Sequence, residues 1–220
     1  GLMDVFRQPK YSYYMFMAQR PAVKNDRNAG SGPMVYIAHE MTPFSGKDVT
    51  VYSNCDEVRL TFNKGGKTYT YKKDKNRPGM PSPVITFPDV YDFMVDKAFS
   101  RTQKQDDVYL LAEGLIDGKV VATHKVVPAR RPEKILLWMD NEGTDLKADG
   151  SVAAVADKNG NIKRLNNYNI RFSIEGEGRL LGGPGVLANP VPVKWGTAPV
   201  LVQSTLKPGK IRITASVLFE

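Results

Sequence analysis

The sequence predicts an all-β chain: two immunoglobulin-like β-sandwich domains in tandem, preceded by one helix. Three observations predict this. Short segments with alternating or β-branched character recur along most of the chain, separated by turn formers. Two stretches break that pattern, the polar AVKNDRNAGSGP (22–33) and the proline-containing, basic PARRPEKI (128–135). Ahead of both lies GLMDVFRQPKYSYYMFMAQR, rich in aromatic residues and without strand alternation. The expected divisions are 1–30 (helix and linker), 31–131 (first sandwich) and 132–220 (second sandwich).

The leading segment reads as a helix with Pro9 in its first turn, where a missing N–H is harmless. Phe6, Tyr13, Tyr14, Phe16 and Met17 place apolar surface on more than one side, which suits a helix enclosed by a larger body. The expectation is therefore a tail of a longer protein, starting at the last helix of an upstream domain. Strands are expected at 34–39, 49–53, 58–63 and 67–72, the last two joined by the turn NKGG. A further strand at 84–87 follows the proline-rich RPGMPSP, and 108–116 with 119–127 form a hairpin around Asp117-Gly118. The second sandwich is expected from ILLWMD, 151–156, the Asn159-Gly160 turn, 170–174, 200–204, and 211–218 after Pro208-Gly209. The cysteine and tryptophan pattern of antibody domains is absent.

The length of 220 residues allows two domains of ordinary size. No apolar run is long enough to span a membrane and no signal segment precedes the first helix. Cys55 is the only cysteine, and with only His39 and His124 beside it there is no disulfide framework or Cys/His zinc cluster. Cys55 is expected to be a small buried side chain. No cofactor and no metal site is expected. The net charge of +8 admits an anionic partner, and its densest cluster is Lys64, Lys67, Lys72, Lys73, Lys75 and Arg77. Solvated lysines on a hairpin, which discourage strand-to-strand aggregation, are the commoner explanation, and no nucleic-acid partner is expected.

Several motifs imitate chemistry. GGKT at 65–68 lacks the earlier glycine and following helix of a phosphate loop, so a hairpin is expected. Gly176, Gly178, Gly182, Gly183 and Gly185 do not have dinucleotide-binding spacing, and a bulged loop is expected. DKNGN at 157–161 would place Tyr168 where a calcium loop needs a carboxylate, which leaves a tight turn. Asn141-Glu142, after an apolar strand, imitates a glycosidase acid/base, but a retaining enzyme needs a second carboxylate about 5–5.5 Å away and no partner can be argued for. Neither histidine lies near a Gly-x-Ser-x-Gly elbow, so both are read as structural, and no catalytic residue is assigned. Tyr69 and Tyr71 share one face of a strand, which either stacks on sugar rings or faces the core, the latter preferred. Trp195, on a loop between Pro192 and Pro199, is the better candidate for glycan contact.

Three stretches together resemble the carboxyl-terminal part of bacterial glycoside hydrolase family two enzymes, especially β-galactosidases of Bacteroides-like organisms. GLMDVFRQPKYSYYMFMAQR resembles the last helical segment of that family's (β/α)8 catalytic barrel. VTVYSNCDEVRLTFNKGGKT with DGKVVATHKVVPA resembles the immunoglobulin-like domain after the barrel. ADGSVAAVADKNGNIKRLNNYNIRFSIEGEGRLLG and LKPGKIRITASVLFE resemble a terminal sandwich domain. Two departures stand out: the strand before DKNGN looks short, and GPGVLANP replaces the Asn-Gly that commonly follows the glycine-rich loop. The resemblance implies that the catalytic glutamates lie upstream, that this fragment is inert, and that its first partner is its own barrel. It also implies an exported parent, periplasmic or at the cell surface, with oligosaccharide and a second copy as further partners.

Overall fold

The computed structural model describes every residue outside 4–7, 26–30, 140–147, 182–188 and 218–220. Phe6, Asp140, Asn141, Glu142, Gly182, Gly183, Gly185 and Leu218 therefore lie outside the described residues. The chain divides into two compact units, Gly1–Pro128 and Ala129–Glu220. Both are antiparallel β-sandwiches.

In the first unit, β1 (Val35–Ala38), β2 (Val49–Ser53) and β5 (Ile85–Phe87) form one sheet. β3 (Glu57–Phe62), β4 (Thr68–Lys72), β6 (Leu110–Ile116) and β7 (Lys119–Val126) form the other, in the order β4-β3-β6-β7. Burial alternates along β1, β2 and β3, so Val35, Ile37, Val49, Val51, Val58 and Leu60 meet in one core. The β3–β4 and β6–β7 hairpins turn as their sequences predict, with Asn63 and Gly65, then Asp117 and Gly118, all at positive φ. A bulge at Gly114/Leu115 interrupts the β6–β7 register. A side chain at Gly114 would come within 2.6 Å of Cys55 Sγ, so the glycine makes room for the buried cysteine.

Two expectations change here. The leading helix, α1, covers only Tyr11–Met17, with Lys10 at its N-cap. Pro9 lies before it, in an isolated bridge with Met3, because the chain doubles back and Lys10 N–H donates to Leu2 O. The segment expected to be strands throughout also contains a second helix, α2 (Phe93–Thr102). Asp92 caps it, its Oδ1 accepting from Met94 and Val95 N–H at 2.8 and 3.1 Å. Among the described residues no helix is long and apolar enough to cross a membrane.

The second unit pairs the sheet β12-β10-β14 with the sheet β11-β13-β9-β8. Its strands are β8 (Lys134–Met139), β9 (Ala148–Ala156), β10 (Asn169–Gly176), β11 (Gly178–Leu181), β12 (Val191–Pro192), β13 (Thr197–Ser204) and β14 (Ile211–Val217). Val155, Ile170, Phe172, Val191, Ala198, Val200 and Val202 carry the core. β9 is longer than its sequence suggests, and it runs into the DKNGN turn. There Asp157 is fully buried and accepts from Arg130, Asn159 and Asn161 N–H, each at 3.0 Å, so the segment is a tight turn as expected. The described part of the glycine-rich stretch is not a bulged loop. It is a corner: Gly176, at φ +90, ends β10, and Gly178 opens β11 in the opposite sheet. A side chain at Gly176 would meet Lys210 O at 2.1 Å.

Candidate functional site

Trp195 stands at the tip of a two-residue turn. Lys194 N–H donates to Thr197 O at 2.9 Å and Thr197 N–H returns to Lys194 O at 3.2 Å. Trp195 and Gly196 between them sit at φ +52 and +85, the signature of a type I′ turn. Gly196 is needed there, since a side chain would come within 2.6 Å of Ile162 Cγ2 and 3.0 Å of Lys163 O. Tryptophan is not: positive φ is uncommon for a bulky residue, and Asn or Asp is the usual occupant. The turn is braced by Arg164, whose Nη1 donates to Trp195 O at 3.1 Å, while the indole-bearing residue remains 53% exposed.

Tyr69 and Tyr71 behave differently. They pair with Leu60 and Val58 across β3–β4 and pack on the first core, and Tyr69 meets Phe87 edge-on at 6.4 Å. Both are half-buried, with the face they share turned to the core. The basic cluster beside them is largely partnered. Lys64 lies 3.0 Å from Asp107, Lys75 3.2 Å from Asp56 and Lys72 3.9 Å from Glu57. Lys73 donates to Ser82 Oγ, and Lys67 sits 4.6 Å above the Tyr69 ring.

Two groupings of the first unit were not visible in the sequence. Tyr14 of α1 stacks on Tyr36 of β1, Tyr36 lies 4.4 Å from the His124 ring of β7, and Tyr11 OH donates to Glu40 at 2.6 Å. His124 Nδ1 accepts from Ile37 N–H at 3.0 Å, which fixes its neutral tautomer, and burial lowers its pKa. In the second grouping, His39 is buried one residue past β1, bonded through Nδ1 to Met41 N–H and through Nε2 to Gly46 O. Its ring meets Tyr91 edge-on at 4.7 Å, and burial lowers its pKa. Asp96 of α2 is buried with Oδ1 unpartnered, and desolvation pushes its pKa up to about 6 against a hydrogen bond from Asn63. Both histidines are thus bonded to backbone groups of the first unit. Among the described residues no group of three or more His, Cys, Asp or Glu is placed to hold a metal.

In the second unit the edge strands β8 and β14 leave a groove of about 440 Å³ lined by Ile135, Val155, Tyr168, Ala215 and Val217, with Glu133 and Lys134 among its walls. It carries apolar surface but no convergent acid pair.

No family model matches the chain. A β-galactosidase of Thermoanaerobacter pseudethanolicus is 32% identical to it over 228 aligned positions, covering 98% of the chain and 28% of that enzyme. The chain is homologous to part of a glycoside hydrolase. Among solved structures, a β-glycosidase from Bacteroides vulgatus matches 99% of the chain at TM-score 0.68 and 23% identity, over 26% of its own length. A glycosyl hydrolase family 2 member from Bacteroides cellulosilyticus matches 99% at TM-score 0.65 and 19% identity, over 30% of its length. The fold is theirs. The chain spans about 28% of the length of the enzyme it matches at 32% identity.

Proposed function

We propose that these two sandwiches are non-catalytic accessory domains of a retaining β-glycosidase, β-galactosidase-like, that hydrolyses O-glycosidic bonds in polysaccharide or glycan breakdown. The observation that carries this reading is the alignment of 98% of the chain with little more than a quarter of a β-galactosidase. On this reading a catalytic body accounts for the remaining length of such an enzyme. Of the two carboxylates buried among the described residues, Asp157 is taken up by its turn and Asp96 lies alone within the first unit, with no second acid beside either. In this reading the sandwiches dock on their own catalytic barrel, where Phe16, exposed on α1 at 52%, offers apolar surface to an upstream partner. Self-association of the parent and its export to the periplasm or cell surface belong to the same proposal.

A second reading, a carbohydrate-binding module, is favoured by the exposed Trp195 alone. A polyanion surface is disfavoured by the partners that Lys64, Lys72 and Lys75 already hold. The test is hydrolysis of aryl β-galactosides by the 220-residue chain and by the whole parent enzyme. The parent is expected to turn over and the chain to be inert. Turnover by the chain overturns the accessory reading, and an inactive parent overturns the β-galactosidase one.

A further inference from the structure

The geometry points to the Trp195 turn as an aromatic subsite for a pyranose ring bearing an acidic substituent, an inference that rests on the glycosidase reading for its ligand class. Four observations converge. The side chain occupies a positive-φ position that Asn would fill without strain, so turn formation gives no reason for tryptophan. Strain of this kind persists where the surroundings over-determine it and is characteristic of ligand clamps. The surroundings do over-determine it: the Lys194–Thr197 hydrogen bonds, the close fit of Gly196 and the Arg164 bond to Trp195 O hold the backbone. The residue so held remains 53% exposed, and it is an indole, whose flat π-face suits the C–H face of a sugar. Arg164, bonded through Nη1 to the tryptophan's own carbonyl, puts a guanidinium at the turn, and Lys194, an exposed residue immediately before Trp195, adds a second positive charge to the segment. Their donors match a carboxylate or sulfate better than a neutral hydroxyl. Rigid presentation also limits the ordering cost of binding.

The test compares the 220-residue chain with its Trp195→Asn variant by calorimetry against tetragalacturonate and galactotetraose at low and high salt. Asn-Gly is the preferred pair for this turn, so the variant is expected to fold with an unchanged or higher melting temperature. Trp195→Asn is expected to weaken binding of both sugars by about tenfold or more, the loss equivalent to one stacked ring. Tetragalacturonate is expected to bind the unaltered chain more tightly at low salt, with the advantage shrinking as salt is raised. Affinities unchanged by the substitution, or no binding by the unaltered chain, overturn the subsite. Equal affinity for the two sugars overturns the role given to the cations. Aryl β-galactoside hydrolysis by the parent separates the two proposals: an active parent with no Trp195-dependent binding removes the subsite and leaves the glycosidase reading in place.

Discussion

Tyr14 lies flat on Tyr36, with ring centroids 3.6 Å apart and planes 6° from parallel. This stack joins α1 to β1, and the Gln19 side chain adds a second tie, donating to Ser82 O at 2.7 Å and accepting from Ser82 N–H at 3.0 Å. No residue within α1 is fully buried, and the Tyr11 hydroxyl bond to Glu40 joins these contacts in holding the helix. Tyr14→Ala is expected to destabilise the first unit by about 1–2 kcal/mol, combining a lost ring pair with lost apolar burial. Limited proteolysis should then cut the segment before residue 31 faster than in the unaltered chain, and equal rates would contradict this.

The neutral state of His124 sets a pH dependence. Its Nδ1 must stay unprotonated to accept the Ile37 N–H, and burial holds its pKa below the usual histidine value, as it does for His39. A histidine whose folded pKa is lowered contributes stability in full above about pH 6.5 and loses it as pH falls toward the folded pKa. The histidine contribution to the first unit's stability should therefore fall on acidification below about pH 6.5, and His124→Gln should shrink that contribution in thermal melts.

Asp96 acts in the opposite sense. Its folded pKa of about 6 stands above the ordinary carboxylate value of 3.8, so ionisation is penalised in the folded state. Below the ordinary value both states are protonated and there is no penalty; as pH rises through about 6 the penalty becomes complete, about 3 kcal/mol. Asp96→Asn should remove this contribution, leaving the histidines to dominate the pH profile between about 4 and 6.5. Denaturant titrations at several pH values would show whether the profile steepens toward acid as this requires.

Asp157 organises the turn that follows β9. Replacing it with Ala removes the acceptor shared by the N–H groups of Arg130, Asn159 and Asn161 and is expected to cost about 1–3 kcal/mol. Asp157→Asn, which keeps an acceptor oxygen, should lose markedly less. Urea unfolding of the two variants checks the order.

Much of the β architecture was legible because its signals are local. Alternation along residues 35–38, 49–53 and 57–62 requires only neighbouring residues, and Asp117-Gly118 or Asn159-Gly160 encode their turns in a pair of side chains. The same locality explains what was missed. Phe93, Met94, Val95 and Phe99 read equally well as strand, and α2 declares itself only through the Asp92 cap and through its position between β5 and β6. β11 was hidden because glycine erases periodicity, while its pairing with β13 is a long-range choice. Of the candidate site, the sequence marked Trp195 by its neighbouring prolines but not the positive φ or the Arg164 brace, which depend on a segment some thirty residues away.

Taken alone, the amino-acid order determined that this chain alternates, where it turns, and that Cys55 stands by itself, since each follows from residue type and spacing over a few positions. Only the tertiary structure decided which face of Tyr69 and Tyr71 is the inner one, that Tyr14 has a flat partner in Tyr36, and that Trp195 is held outward. Periodicity establishes that a strand has two sides, but which of them loses its water is settled by the sheet that arrives opposite it.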